Sequence, residues 1–181
     1  LYYLMHPHEL LSNLDSRIVI AGGGGFLGSH LVRHFTRQNY THVRAVDLRP
    51  VESWTQVQSE AENLQLDLRD RFACKDALHE AEMVFNCAGP GVVHNSPQAQ
   101  ALAMVGVLTT THLLTAMLEG GTCKHLVQAS QMPFSVKNPT AAETERQFSE
   151  QVCERFGGAF DLSAYVVRFG EIYGPGSFAV D

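Results

Sequence analysis

The chain has 181 residues, 45% hydrophobic and 18% charged, with a net charge of −6 at neutral pH. That is enough apolar residue for one good core, and the negative balance leaves no electrostatic case for nucleic acid or an anionic membrane as a partner. The four cysteines (Cys74, Cys87, Cys123, Cys153) form no C-x-x-C pair and the nine histidines no H-E-x-x-H motif, which argues for reduced thiols in a cytosol-like compartment and against a disulfide frame or metal centre.

Residues 1–16 read as an extension ahead of the first strand. Pro7 prevents one continuous helix there, and His8 to Leu11 can form a turn. His6 and His8, two apart in a loop, are a poor metal pair. Tyr2, Tyr3, Leu4 and Leu11 would pack on the domain or on a partner; both remain open. Residues 17–181 form the domain proper. Arg17 to Ala21 is a β-branched run with the composition of a buried strand. Gly22 to Gly25 follow, and Phe26 to Gln38 reads as an amphipathic helix. Strand, glycine turn and helix make the first half of a dinucleotide-binding βαβ unit. Gly22 lets the chain leave the strand at positive φ. Gly25 lets a pyrophosphate approach the backbone, and Gly28 lets the helix pack on the strand. Phe26 and Leu27 begin that helix, whose free N–H groups and dipole favour an anion.

Val43 to Asp47 is the second strand. Asp47, at its carboxyl end, is placed to accept hydrogen bonds from the adenosine ribose and to repel a 2′-phosphate, which favours NAD over NADP. Arg49 works the other way, since a guanidinium can receive that phosphate. Pro50 to Glu60 is a polar connector with helix from Glu52, and Leu64 to Leu66 a short third strand. Asp67 can face the adenine amino group with Leu68 beside it, and Asp70 caps a helix over Arg71 to His79. Met83 to Asn86 is the fourth strand, ending in a small-residue corner, Cys87-Ala88-Gly89-Pro90-Gly91, that would pass beneath the cofactor. Pro97 to Leu118 is a long helix stopped by Gly120-Gly121. Its apolar stretch is interrupted by Gln100, Thr109 to Thr111 and His112, so no membrane span is expected, nor a secretory leader. His125 to Ala129 is the fifth strand, Ala141 to Phe156 a second long helix, and Tyr165 to Arg168 a sixth strand. Strands alternating with helices imply an α/β doubly wound parallel sheet of Rossmann type, order 3-2-1-4-5-6, with its crevice between strands 1 and 4.

These segments carry a resemblance. IAGGGGFLGSHL, Asp47, LDLRD, NCAG and RFGEIYGPG (Arg168 to Gly176) resemble the extended short-chain dehydrogenases/reductases, and more closely their NAD-dependent nucleotide-sugar epimerases and dehydratases. VDLRPVESW, ENLQLDLRD and RFGEIYGP look most like the GDP-mannose 3,5-epimerase branch. The resemblance spans about Arg17 to Gly176. It implies NAD as cofactor, held by Gly22, Gly25, Phe26, Leu27, Gly28, Asp47, Asp67, Leu68, Cys87, Ala88, Gly89 and a residue at position 146. It also implies a dimer, of like or unlike chains, through helices 97–118 and 141–156. Thr109 to Thr111, Glu143, Glu145, Glu150 and Glu154 would make that seam polar.

The chemistry the resemblance implies is a Tyr-x-x-x-Lys pair with a Ser or Thr, relaying a proton while hydride passes to or from the nicotinamide. Matched on their neighbours, the tyrosine position falls on Ala142, the lysine position on Arg146 and the Ser/Thr position on Gln131, beside Ser130. The epimerase branch's extra cysteine falls at Pro133 and the family's helix asparagine at Gly106. The binding half of the motif set is therefore present and the proton-transfer half absent. Ser130, His94, Glu143, Glu145 and Tyr173 are the remaining candidates near the nicotinamide end, each with a structural alternative. The family's substrate region, largely after the Tyr-Gly-Pro-Gly segment, is absent or truncated. The expectation is an NAD-binding domain, catalytically degenerate and serving a structural, regulatory or sensing role in the cytoplasm. The alternative is the cofactor half of an active epimerase or dehydratase. A scaffold with a vestigial site is disfavoured by Gly22, Gly25, Gly28 and Asp47.

Overall fold

Short β-branched runs and helical stretches alternate as expected in the computed structural model, which describes residues 13–89, 97–132 and 140–177, the side chains of 97–104 apart. The strands are β1 (Ile18–Ala21), β2 (Val43–Asp47), β3 (Glu62–Gln65), β4 (Met83–Asn86), β5 (His125–Gln131) and β6 (Ser163–Phe169). They form one parallel sheet in the order β3-β2-β1-β4-β5-β6, the doubly wound arrangement. The helices are α1 (Phe26–Arg37), α2 (Arg71–Ala77), α3 (Pro97–Gly120) and α4 (Ala141–Ala159), with a 3-10 turn at Val51–Ser53.

Period-two alternation sends side chains to two cores. On one face Ile18, Ile20, Val43 and Ala45 pack with Val32 and Phe35 of α1 and with Trp54. On the other, Val19, Ala21, Val84 and Leu126 pack with Cys74 and Ala77 of α2, Leu113, Leu114 and Met117 of α3 and Cys153 of α4. All four residues of β1 are fully buried, as a central parallel strand requires.

Boundaries differ from the sequence expectation where polar groups decide them. β3 spans Glu62–Gln65 rather than Leu64 to Leu66. Arg44 pairs in register with Glu62, and its Nε donates to the Glu62 carboxylate at 2.7 Å, drawing this polar stretch into the ladder. α2 ends at Ala77, not His79. Arg44 Nη1 takes the carbonyls of Asp76, Ala77 and His79 at 3.2, 2.8 and 3.2 Å, closing the helix as a C-terminal cap from a neighbouring strand. β5 and β6 run longer than their apolar cores because the hydrogen-bonded register extends from His125↔Ser163 to Gln131↔Phe169. α3 runs on to Gly120, and Gly121 stops it at φ +73. α4 begins with a capping box: Thr140 Oγ1 accepts from Glu143 N at 3.2 Å, and Glu143 accepts from Thr140 N at 2.6 Å. Asp70 caps α2 as expected, accepting from Phe72 N at 2.8 Å. Only a 3-10 turn forms where helix from Glu52 was expected. Among the described residues no helix is long and apolar enough to cross a membrane.

Arg44 is 6% exposed, so its removal leaves three helix-end carbonyls without their donor. Arg44→Leu is expected to cost about 2–3 kcal/mol in urea unfolding. Arg17→Leu, which breaks the more exposed 3.4 Å contact with Glu80, should cost under about 1 kcal/mol.

Candidate functional site

The carboxyl ends of the strands converge on the crevice between β1 and β4, and the turn after β1 sets its geometry. Gly22 N and Gly23 N both donate to Val46 O, at 2.7 and 3.0 Å, pinning the turn to β2. Gly22 sits at φ +76, and a Cβ there would lie 2.7 Å from the Cys87 carbonyl and Ala88 N. A Cβ on Gly28 would lie 2.1 Å from Gly22 O. Gly25 is the N-cap of α1, with no side chain capping the helix and no acid in its first turn. Only Gly22 O, at 3.2 Å, stands near a Cβ built on Gly25. The arrangement leaves the N–H groups of Phe26, Leu27 and Gly28 for an anion. Sequence reasoning passed over Gly23 and Gly24. A Cβ on Gly23 would meet the Ala45 side chain at 2.8 Å, and one on Gly24 the Trp54 ring at 2.5 Å. Trp54 donates from Nε1 to Arg49 O at 2.9 Å while Thr55 N donates to Gly24 O at 2.9 Å, folding the β2–β3 connection onto the turn.

Asp47 ends β2 with its side chain 11% exposed. Oδ2 accepts from Gly24 N at 3.2 Å and Arg49 Nη2 at 3.3 Å; Oδ1 accepts from Arg49 N at 3.0 Å and Nε at 3.1 Å. One strand over, Asp67 repeats the pattern with Arg69, whose N donates at 3.0 Å and whose Nη2 donates at 2.6 Å. The hydrogen bond from the Arg69 side chain holds the Asp67 carboxyl below its usual range. Leu68, between them, turns its side chain into the core, 5% exposed. Beneath the turn, Asn86 is fully buried and donates to Gln128 Oε1 at 2.8 Å and Thr110 Oγ1 at 3.1 Å. Its own Oδ1 accepts from Ala88 N at 3.2 Å, which fixes the Cys87-Ala88-Gly89 corner. Burial pushes the Cys87 thiol up to about 12, which removes it as a nucleophile near neutrality. Gly89 is exposed, and a Cβ placed on it would meet no atom of the described residues within 4 Å. After β6 the chain crosses toward α1: Pro175 O meets His30 Nε2 at 3.0 Å, and Gly176 lies against Thr55.

The residues at the other end of the crevice do something different from what their number suggests. Gln131 closes β5, half-buried. Ser130, 7% exposed, turns to the opposite face and donates to Glu150 Oε1 at 2.6 Å. Arg168 Nε reaches the same oxygen at 2.9 Å, and its hydrogen bonds lower the Glu150 carboxyl. Ala142 is buried in the first turn of α4, with Arg146 half-buried one turn on. Glu143 is the partner in the capping box. Glu145 is 5% exposed, takes a 3.0 Å hydrogen bond from Ser149 Oγ, and fills the notch left by Gly106 on α3, where a Cβ would lie 1.8 Å from Glu145 Oε1. Burial raises its carboxyl above the ordinary value. Two acids with catalytic candidacy are thus used for helix capping and helix packing. Of the residues expected to make the face of the two long helices polar, Thr109, Thr110, Glu143 and Glu145 are buried, Thr111 and Glu150 half-buried and Glu154 exposed, while Leu108 and Phe148 are 42% and 52% exposed. Tyr173 is 91% exposed. Residues 1–12, His94, the Pro90-Gly91 end of the corner and Pro133 lie outside the described residues. No group of three or more His, Cys, Asp or Glu among the described residues is placed to hold a metal ion.

Known proteins resemble this chain in sequence and fold. The family model of the NAD dependent epimerase/dehydratase family matches residues 18–181. The 3β-hydroxysteroid-dehydrogenase/decarboxylase isoform 1 of Arabidopsis thaliana is 27% identical over 87% of this chain and 42% of its own length. GDP-mannose 3,5-epimerase 1 of Oryza sativa subsp. indica is 25% identical over 88% of this chain and 47% of its own. The structure of MoeE5 in complex with UDP-glucose and NAD superposes with a TM-score of 0.72 at 25% identity, covering 89% of this chain and 56% of that one. The chain therefore spans about half the length of the proteins it matches.

Because its carboxyl is raised by burial, Glu145 supports the fold most when protonated, below the ordinary carboxyl range, and loses that support as pH rises through its raised value. Glu145→Gln is expected to match the wild type in urea unfolding near pH 4 and to exceed it at pH 7 by on the order of 1 kcal/mol. A difference that does not change between those pH values would show that the notch does not penalise the charge.

Proposed function

Because the chain belongs to the NAD-dependent epimerase/dehydratase family, we propose that it is an NAD-binding domain without the family's proton chemistry, serving as a structural, regulatory or sensing component. The observation that carries this reading is the contrast between the two ends of one crevice. At the adenosine end, glycines that admit no Cβ, a helix start with no acid or side-chain cap, and a carboxylate at the end of β2 are all in place. At the nicotinamide end, the positions assigned by resemblance hold Gln131, Ala142 and Arg146.

The residues present fit the cofactor. The N–H groups of Phe26, Leu27 and Gly28 bind the pyrophosphate, Asp47 orients the adenosine ribose, Asp67 reads the adenine edge, and the Cys87-Ala88-Gly89 corner supplies a floor. NAD, when bound, supplies a hydride acceptor. Ala142 has no proton to give. Gln131 donates hydrogen bonds and no proton. Arg146 can hold a ribose hydroxyl, but a guanidinium is a hydrogen-bond donor with no acceptor site for a proton in transit. The solvent-facing Leu108 and Phe148, on the two long helices that pack against each other, support pairing with a second copy or with an active relative.

A second reading draws on length. Since the matched proteins are about twice as long, this chain can be the cofactor half of a working nucleotide-sugar epimerase or dehydratase whose substrate half lies elsewhere.

Calorimetric titration is expected to show saturable NAD binding, with a stabilisation of about 2.7 kcal/mol at a hundredfold excess over Kd. Gly25→Val should keep the fold and lose binding. Incubation with NAD and a GDP- or UDP-sugar should yield neither NADH nor epimerised sugar; turnover would select the second reading, and absence of dinucleotide binding would overturn both.

A further inference from the structure

Resting on that reading, we propose that Arg33 is a positioning residue for dinucleotide binding: by fixing the tautomer of His30, it keeps the segment after β6 closed over the half of the crevice away from the adenosine. β6 lies three strands from β1 in the sheet, about 14 Å at ordinary strand spacing. To reach α1 from the carboxyl end of β6, residues 170–176 pass the carboxyl ends of β5 and β4. Asp47, at the end of β2, assigns the adenosine to the opposite side, so the rest of a dinucleotide extends toward β4 and β5. Gly170, Glu171, Ile172 and Tyr173 are all exposed, so little packing holds the crossing stretch down. The turn that follows is fastened. Ser177 N and Oγ donate to Gly174 O at 2.9 and 2.8 Å, closing residues 174–177 on themselves. Gly176 stands against Thr55, and Pro175 O meets His30.

One imidazole anchors this turn to α1. Pro175 O lies 3.0 Å from His30 Nε2, and Arg33 Nη2 lies 2.8 Å from His30 Nδ1. A carbonyl only accepts and a guanidinium only donates. Both partners therefore require the same tautomer, with the proton on Nε2 and the lone pair on Nδ1. The other neutral tautomer loses both contacts at once. Arg33 selects between them, because it stands one turn along α1 and meets the ring at the nitrogen that does not face Pro175. The Phe26 ring, edge-on to the imidazole with centroids 5.0 Å apart, holds the ring's place without preferring either tautomer. Arg33 thus acts on the segment through His30. Without its N–H at Nδ1, the proton on Nε2 is no longer enforced, and the one polar clasp between the turn and α1 is shared between a form that holds and a form that does not.

Whole ligand and half-ligand separate this role from general support of the fold. 5′-ADP occupies the glycine turn and the Asp47 side, whereas NAD also extends beneath the crossing stretch. In calorimetry Arg33→Leu is expected to weaken NAD by about fivefold or more and 5′-ADP by less than about twofold. Arg33→Lys, which restores a donor, should recover most of the NAD affinity. His30→Phe keeps a ring against Phe26, loses both hydrogen bonds, and should match Arg33→Leu. Ring-nitrogen NMR is expected to find His30 as the Nε2–H tautomer in the wild type and as a mixture in Arg33→Leu. Thermal midpoints establish that each variant is folded. Equal weakening of NAD and 5′-ADP, unchanged NAD binding in Arg33→Leu, or an Nδ1–H tautomer in the wild type overturns the proposal. If neither NAD nor 5′-ADP binds the wild-type chain, the dinucleotide-binding reading itself fails, an outcome distinct from a site that holds NAD without regard to Arg33.

Discussion

Everything in this molecule depends on a contact that excludes side chains. At the end of β1 the main chain of Gly22 passes against the Cys87-Ala88 peptide on one side and against Gly28 on the other, at separations where a Cβ would stand 2.7 and 2.1 Å from backbone atoms. Backbone cannot yield as a side-chain tip can, so the approach demands glycine. It draws α1 onto β1, holds β4 beside them and sets the depth of the crevice. The hydrogen bonds to Val46 O tie the same turn to β2. One crowded point therefore positions three strands and a helix, and the binding corner follows from it without further ordering.

That point was legible because it is local. A β-branched run, a glycine series at fixed spacing and an acid at the next strand's end are all adjacent in sequence, and each states its own physical requirement. The Asp70 cap was legible for the same reason. What stayed hidden was carried by long-range polar contacts. Nothing in the sequence marks Arg44 as the cap of a helix 32 to 35 residues away. Trp54, in a polar connector, gave no sign that its ring closes over Gly24. The start of β3 was misplaced because Glu62 joins the ladder through Arg44 and not through hydrophobicity. One miss was avoidable: Thr140-Ala141-Ala142-Glu143 is a capping-box pattern that identifies Glu143 as a helix-end residue.

α4 is fixed by polar contacts along its inward face. Its inward acids each have a structural partner: Glu143 with the main chain of Thr140, Glu145 with Ser149 in the notch at Gly106, Glu150 with Ser130 and Arg168. The glycine and the glutamate are reciprocal. Glu145 occupies the place a side chain on Gly106 would need, so the residue at either position limits the choice at the other. The acids that line this side of the helix are parts of its packing.

The segment after β6 has a consequence of a different kind. An edge strand is ordinarily the part of a sheet that frays first, opening at little cost to the rest. Here the chain that leaves that edge returns across the crevice and fastens on His30 and against Thr55. It works as a belt from the outermost strand to the first helix. Fraying at the edge slackens the belt at the opposite half of the sheet. The periphery and the centre are thereby joined into one cooperative unit, so protection of the edge strand's amides reports on the state of a corner several strands away.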